Sequence, residues 1–368
     1  MNVGLPDFAR RRERLLRELR ARKAKNLLVT CPYNVTYLTG FKGEDSFLFI
    51  SGDTTFLLSD GRYDEQIRDE CPDLPLVLRP SNMPIIDAAA RELQLHGLST
   101  VWVESLSTSL AQWERLTELM PSGSLATLRG VVERLREKKD AYELAAIERA
   151  IGMAERSFQS VRAMLHADQT ELDVSHDIES GIRRLGGSGA AFKTIVGVGP
   201  RSALPHGRPT AMRMAESSFV LVDWGAKEEQ YLSDLTRVVV TGRAPAKLEK
   251  IYRVVLEAQQ AAIQAIRPGV LMSEIDATAR GVIHRAGYGN CFTHGLGHSF
   301  GLQIHETVRL AAGQDRPLEV DMVLTVEPGI YIPGFGGVRI EDDILVTKGG
   351  HRVLSTLGKD WDWARGQA

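Results

Sequence analysis

The chain is short of cysteine, of long apolar runs and of net charge, and each shortage removes a class of protein. Its 368 residues hold only Cys31, Cys71 and Cys291, odd in number and widely spaced, which argues against a disulfide framework and fits a reducing compartment. Cys291 lies three residues before His294. Carboxylates expected nearby would disfavour its thiolate, so it reads as a small buried apolar residue and not as a nucleophile. No stretch reaches the roughly 18 consecutive apolar residues of a membrane span, and the N-terminus lacks the apolar core of a secretory signal. A cytoplasmic location is expected. The formal net charge of −2 gives no reason to expect a nucleic-acid partner. The single basic run, Arg10 to Lys23, carries Leu15, Leu16 and Leu19 at helical spacing, so it is expected to be an amphipathic surface helix.

What is present is ordinary for a globular protein: 43% hydrophobic and 25% charged residues. The length exceeds what one core usually serves, so two domains are expected, at 1–132 and 133–368. In the first, β-rich runs at 26–30, 46–50, 54–58 and 100–103 alternate with helical patterns at 63–69, 85–95 and 110–119, the signature of an α/β domain. A charged helix over 133–158 is expected to open the second domain. Helices then fill 140–186, strands 193–198, 218–224 and 232–241, helices 248–266 and 275–286, and strands the remainder. Two strand-rich blocks separated by helices predict an α+β domain with a curved antiparallel sheet covered by helices on one face.

The chemistry concentrates in this second domain. His294, His298 and His305 lie in one Gly-rich segment, HGLGHSFGLQIHE, followed by the acidic segments VEPG and GVRIEDD. Upstream, Asp223 and Asp234 sit in β-branched runs flanking a polar KEEQ stretch. A hairpin turning at Glu228-Glu229 would set the two aspartates directly opposite, with Cβ atoms about 4.5–5.5 Å apart. Carboxylates so close repel unless a cation lies between them or one is protonated. Downstream, the Gly/Pro-rich connection from Pro328 to Gly337 would bring Glu327 and Glu341 onto one face. Four carboxylates and the His298 imidazole suit Mn²⁺, Co²⁺ or Zn²⁺. Paired ions about 3.5–4 Å apart share a hydroxide and polarise a carbonyl, so acyl-bond hydrolysis is expected.

These residues, in the contexts DWGA, SDLTR, HGLGHSFGLQIHE, VEPGIY and GVRIEDD, resemble the pita-bread metallopeptidase family, and within it the proline-specific branch of aminopeptidase P and prolidase (Xaa-Pro dipeptidase). The likeness extends to YLTGF at 37–41, SDGRY at 59–63 and LREKKD at 135–140, so it covers nearly the whole chain. It implies an α/β creatinase-like N-terminal domain and an α+β pita-bread catalytic domain, with two divalent ions per chain. Asp223 and Glu341 would bridge the ions, Asp234 would complete one, and His298 with Glu327 the other. His206 matches the family's substrate-side histidine, His294 and His305 the pair that contacts substrate and stabilises the tetrahedral intermediate, and Arg339 an arginine beside the last bridging ligand.

The expected activity is therefore hydrolysis of an Xaa-Pro bond at a peptide N-terminus or in a dipeptide. A metal-bridging hydroxide attacks, Glu327 shuttles the proton, and His294 and His305 hold the oxyanion and the proline-side backbone. The resemblance also implies a homodimer, the commonest closed assembly. A methionine-aminopeptidase-like enzyme shares the ligands but not the N-terminal domain. A creatinase-like amidinohydrolase or a metal-free binding module would be expected to lack some of the ligands.

Overall fold

A computed structural model of the protein describes residues 6–98, 100–120 and 123–366. The chain falls into two compact units, one reaching to Arg136 and the other opening at Glu137.

The first unit is built on one six-stranded mixed sheet. Its strands are β1 (Asn26–Val29), β2 (Phe47–Ser51), β3 (Thr55–Asp60), β4 (Leu76–Arg79), β5 (Thr100–Glu104) and β6 (Ser124–Leu128), ordered β4-β3-β2-β1-β5-β6. β1, β2 and β3 are antiparallel neighbours, whereas β4 and the β5–β6 pair join in parallel through helical crossovers. The central strands match the apolar runs and are buried. β4 and β6 were not expected. They are edge strands, largely half-exposed, with too short an apolar pattern to stand out. The basic run forms the helix Phe8–Ala21, with Leu15 and Leu19 buried.

The expected helix over 133–158 is instead two helices, Val131–Arg136 and Ala141–Met164. Asp140 ends the continuity with a capping box: its side chain accepts from the Glu143 amide and the Glu143 carboxylate accepts from the Asp140 amide. The freed residues run extended, Lys138 bridging to Met322 and the Lys139 amide donating to the Asp321 carbonyl.

The second unit is wholly antiparallel. β7 (Gly189–Ala190), β8 (Ile195–Val198), β9 (Phe219–Trp224), β10 (Ala226–Glu228), β11 (Tyr231–Leu232) and β12 (Leu235–Val240) form the upstream block. β13 (Gly297–His298), β14 (Arg309–Leu310), β15 (Val323–Val326), β16 (Gly329–Ile332), β17 (Gly336–Arg339), β18 (Asp342–Thr347) and β19 (Gly350–Val353) form the downstream block. Between them in sequence, helices Ala246–Ala265 and Met272–Arg285 bury Ile251, Val255, Ile275 and Ile283 against Leu221, Val238, Leu324 and Val338. Each such side chain contributes about 1.5–3 kcal/mol of apolar burial. No helix among the described residues is long and apolar enough to cross a membrane, and Cys31, Cys71 and Cys291 are free thiols.

Candidate metal centre and its cavity

β9 is buried along its whole length, and its penultimate residue is Asp223. The turn of its hairpin lies at Glu229-Gln230, both in the left-handed region with φ of 43° and 71°, not at Glu228-Glu229. Moving a turn by one residue slides the register by two. Asp223 therefore faces Thr236, and Asp234 is not directly opposite Asp223 as expected. A two-residue slide keeps the side-chain face, so the aspartates become a diagonal pair on one face of the sheet. Gly225 helps to fix this register: a Cβ there would lie 1.9 Å from the Ser233 carbonyl oxygen.

The second hairpin behaves differently from a loop. Pro328 to Gly337 contains β16 and most of a second ladder, and the β15–β18 register, with Val326 facing Asp342, continues unbroken into Gly329 facing Arg339. Glu327 and Glu341 occupy the gap between the ladders, on the same register. His298 arrives from β13 because Gly297 is pressed on β15, where a Cβ would lie 2.1 Å from the Thr325 carbonyl.

The five residues meet. Carboxylate oxygens of Asp223, Asp234 and Glu341 all lie within 4.8 Å of one another. His298 Nε2 stands 3.5 Å from Asp234 Oδ2 and 3.4 Å from Glu327 Oε1. Positive charge reaches the cluster at its side, where Arg339 Nη2 donates to Asp223 Oδ2 at 2.5 Å and Arg339 Nε lies 4.0 Å from Glu327 Oε2. Thr236 donates to Glu341 Oε2 at 2.6 Å and Thr325 to Glu327 Oε1 at 3.2 Å. Asp223 Oδ1 and Glu341 Oε1 are buried with no hydrogen-bond partner.

Burial, followed by mutual repulsion, pushes the carboxyls of Asp234 and Glu341 well above their ordinary range. Asp223 rises by burial with Arg339 opposing, and Glu327 is pushed up to about 7 by burial against the same arginine. Burial, then the neighbouring His305, holds His298 down at about 3, so its imidazole is neutral, the ligating form. Buried acceptors without donors and a neutral imidazole fit divalent cations, whose charge would replace the missing protons.

The cluster opens into a cavity of about 780 Å³ lined also by His206, His294, His305, Arg309 and Arg339. His305 meets the His298 ring edge-to-face at 4.4 Å. His294 is differently placed. Arg339 Nη1 donates to Tyr331 Oη at 2.8 Å, which leaves the Tyr331 hydroxyl proton for His294 Nε2, also at 2.8 Å, while His294 Nδ1 donates to the Gly295 carbonyl. Both nitrogens of His294 are thus engaged within the protein, and burial holds its pKa down at about 4.

Tyr331, Thr236, Thr325 and Arg309 were not singled out from the sequence. Tyr331 lies inside the VEPGIY segment, and only its hydrogen bonds distinguish it from an ordinary strand aromatic. Of the acidic run, only Glu341 turns to the cluster oxygens; Asp343 Oδ2 accepts from the Asp234 amide at 3.3 Å behind them.

Comparison with known proteins shows the family and the fold. The model of metallopeptidase family M24 matches residues 145–348, and that of the creatinase/prolidase N-terminal domain matches residues 11–138. The uncharacterized peptidase YqhT of Bacillus subtilis is 34% identical over 334 residues, 91% of this chain and 94% of that one. Among solved structures, an Xaa-Pro dipeptidase from Bacillus anthracis superposes with a TM-score of 0.92 at 33% identity, covering 96% of this chain and 99% of that one. An X-Pro aminopeptidase from Thermotoga maritima gives a TM-score of 0.86 at 32% identity, covering 94% and 99%.

Proposed function

Because this chain belongs to metallopeptidase family M24, we propose that it is an exopeptidase that hydrolyses the Xaa-Pro bond, using two divalent ions held by Asp223, Asp234, His298, Glu327 and Glu341. The observation that carries this reading is that Asp223 and Glu341, each with a buried, donorless oxygen, crowd a third carboxylate, Asp234, within 4.8 Å. Such oxygens are costly unless a cation satisfies them. Bound ions supply a Lewis acid for the scissile carbonyl and lower the pKa of water.

The chain's own groups supply the rest. Glu327 holds and returns the proton at its carboxylate. His305 donates to the developing oxyanion, since its ring lines the cavity and makes no hydrogen bond among the described residues. His294, bound at both nitrogens, orients Tyr331 and through it Arg339. His206, which also lines the cavity, frames the proline ring.

Arg309 refines the substrate class. It lines the cavity on β14 opposite His298, and Nη1 alone is spent, on the carbonyls of Glu306 and Val308. A half-buried guanidinium with donors to spare suits the free carboxylate of an Xaa-Pro dipeptide. Like-signed Lys193 and Arg208 also line the cavity but are exposed. The active species is taken to be a homodimer.

The test is an assay of the purified protein on Ala-Pro, Ala-Pro-Ala, Met-Ala and N-acetyl-Ala-Pro, with metal analysis. Expected are near two ions per chain, loss of hydrolysis on chelation with recovery on adding Mn²⁺, Co²⁺ or Zn²⁺, and no cleavage of the acetylated peptide. Preference for Met-Ala over Ala-Pro, or full activity in metal-free protein, overturns the assignment.

A further inference from the structure

His305 is the donor of the proposed reaction, yet nothing in its own ring fixes it beyond the edge contact with His298. It lies in the segment from Phe300 to Thr307, which has no helix or strand. What holds the segment is therefore a question about its other residues. Glu306, the next residue, points the opposite way, into the protein. Its side chain is 3% exposed and meets Lys139 Nζ at 2.9 Å, itself 1% exposed. The backbone closes over this pair: a Cβ on Gly301 would lie 3.0 Å from Glu306 Oε1, 3.1 Å from Lys139 Cε and 3.3 Å from Lys139 Nζ. Thr307 is held in turn, donating to Glu137 Oε1 at 2.6 Å, and Arg316 secures that carboxylate at 2.7 Å.

A sealed ion pair is an uneconomical way to add stability. Desolvating both charges cancels most of their attraction, and apolar replacements are often neutral or stabilising. Its distinctive property is geometric: a charge-assisted bond between two buried groups admits one arrangement of the chain on either side. Here the two sides are the non-helical segment 137–139 between the Val131–Arg136 helix and the Asp140 cap, and the residue bonded to His305. We infer that Lys139, through its ion pair with Glu306, is a positioning residue that sets the His305 imidazole against the reacting carbonyl. This inference rests on the oxyanion role assigned to His305. It gives a purpose to two motifs that the metal centre leaves unused, the LREKKD junction and the glutamate that closes HGLGHSFGLQIHE.

A misplacement of about 1 Å in a catalytic group costs on the order of 10²-fold in rate. Lys139→Met should therefore lower kcat on Ala-Pro by about 10²-fold, with KM and metal content near those of the parent. Gly301→Ala, which presses on the pair without removing a charge, should lower kcat in the same sense and serves if Lys139→Met does not fold. The decisive measurement places each change in a His305→Ala background. A positioning role predicts no further loss there, because the group being positioned is gone; general structural damage predicts that the losses multiply. Amide exchange at Glu306 and Val308, bonded to Ser299 in the parent, should quicken in Lys139→Met. If His305→Ala loses activity but Lys139→Met and Gly301→Ala keep the parental kcat, or if the losses multiply, the inference is overturned. If His305→Ala alone leaves kcat unchanged, the assignment of His305 as donor fails instead.

Discussion

Glu341 and Asp342 are neighbours in sequence, equally buried and equally acidic, yet they serve opposite ends. Glu341 turns to the cavity side, where Oε1 has no donor and Asp223 and Asp234 crowd it. Asp342 turns to the other face, where Arg237, Gln259, Ser355 and Lys359 donate to it. Burial raises its pKa, but Arg237 and Lys359 outweigh burial and the net shift is downward. Other buried carboxylates follow Asp342: Glu171 accepts from Val198, Arg201 and Thr210, and Glu104 from Thr30, Cys31, Asn34 and Ser107. The difference teaches how to tell the two uses apart. A carboxylate that the chain itself satisfies is part of the scaffold; a buried donorless oxygen alone does not mark the other use, since Asp343 Oδ1 is one too, and what sets Asp223 and Glu341 apart is that their carboxylates also crowd Asp234 within 4.8 Å.

The largest effects should come from exchanging the two neighbours' fates. Glu341→Gln keeps the shape and removes the charge that the cation needs. It should cost at least the about 10–100-fold in metal affinity that even outer-shell partners carry, with hydrolysis falling below detection and folding preserved. Asp342→Asn should do the reverse. It leaves Arg237 and Lys359 buried against a neutral amide, a loss of about 3–5 kcal/mol in stability, while metal binding per folded molecule persists. Calorimetric metal titration and urea unfolding of both variants separate the outcomes. If Asp342→Asn loses metal while staying folded, the distinction between the neighbours collapses.

How far this contrast was legible in the sequence differs from residue to residue. The five ligand candidates stand out because acids and a histidine interrupt apolar runs, and the structure brings all of them together. The register did not stand out. Glu229 and Gln230 adopt left-handed angles without Gly or Asn to advertise the turn, so the hairpin appeared one residue out of place. Packing at Gly225 against the Ser233 carbonyl, a contact eight residues apart in sequence, decides the matter. The β16–β17 ladder was hidden in the same way, because Pro328, Gly329, Gly336 and Gly337 carry the composition of a loop. The Lys139–Glu306 pair was beyond reach: the partners are separated by 167 positions, and a lysine and a glutamate read individually as solvated surface. Local patterns show which residue types interrupt a core, whereas satisfaction of each buried atom depends on long-range contacts.

Glu104 tests the scaffold half of the comparison at smaller scale. Burial, outweighing the hydrogen bond from Cys31 and reinforced by Glu133, pushes its pKa from 4.5 up to about 7. The folded state thus binds the proton more tightly than the unfolded chain. Its stabilisation is complete below pH 4.5 and lost as pH rises through about 7, a change of about 3 kcal/mol. Protection factors at the Thr30 and Cys31 amides, both bonded to Glu104 Oε2, should fall across that window. Glu104→Gln should flatten the slope. A slope of equal size in the variant would show that another group carries it.

Arg309 is the converse of Glu341, a half-buried cation with donors left over, and it carries the smallest predicted effect. If its spare N–H groups take a substrate carboxylate, the bond is charge-assisted and contributes about 1.5–3 kcal/mol. Each 1.4 kcal/mol is about tenfold. Arg309→Ala should therefore raise KM for Ala-Pro by roughly 10–100-fold while changing kcat little, because the contact is made alike in the ground and transition states. Ala-Pro amide, which has no carboxylate to offer, should bind the parent about as weakly as Ala-Pro binds the variant, and the variant should no longer distinguish the two. Arg309→Lys keeps the charge but not the planar fork, so it should recover only part of the loss. The alternative is that Arg309 matters only through its bonds to the Glu306 and Val308 carbonyls, beside His305. In that case kcat falls with dipeptide and amide alike, and the spare donors have no part in choosing the substrate.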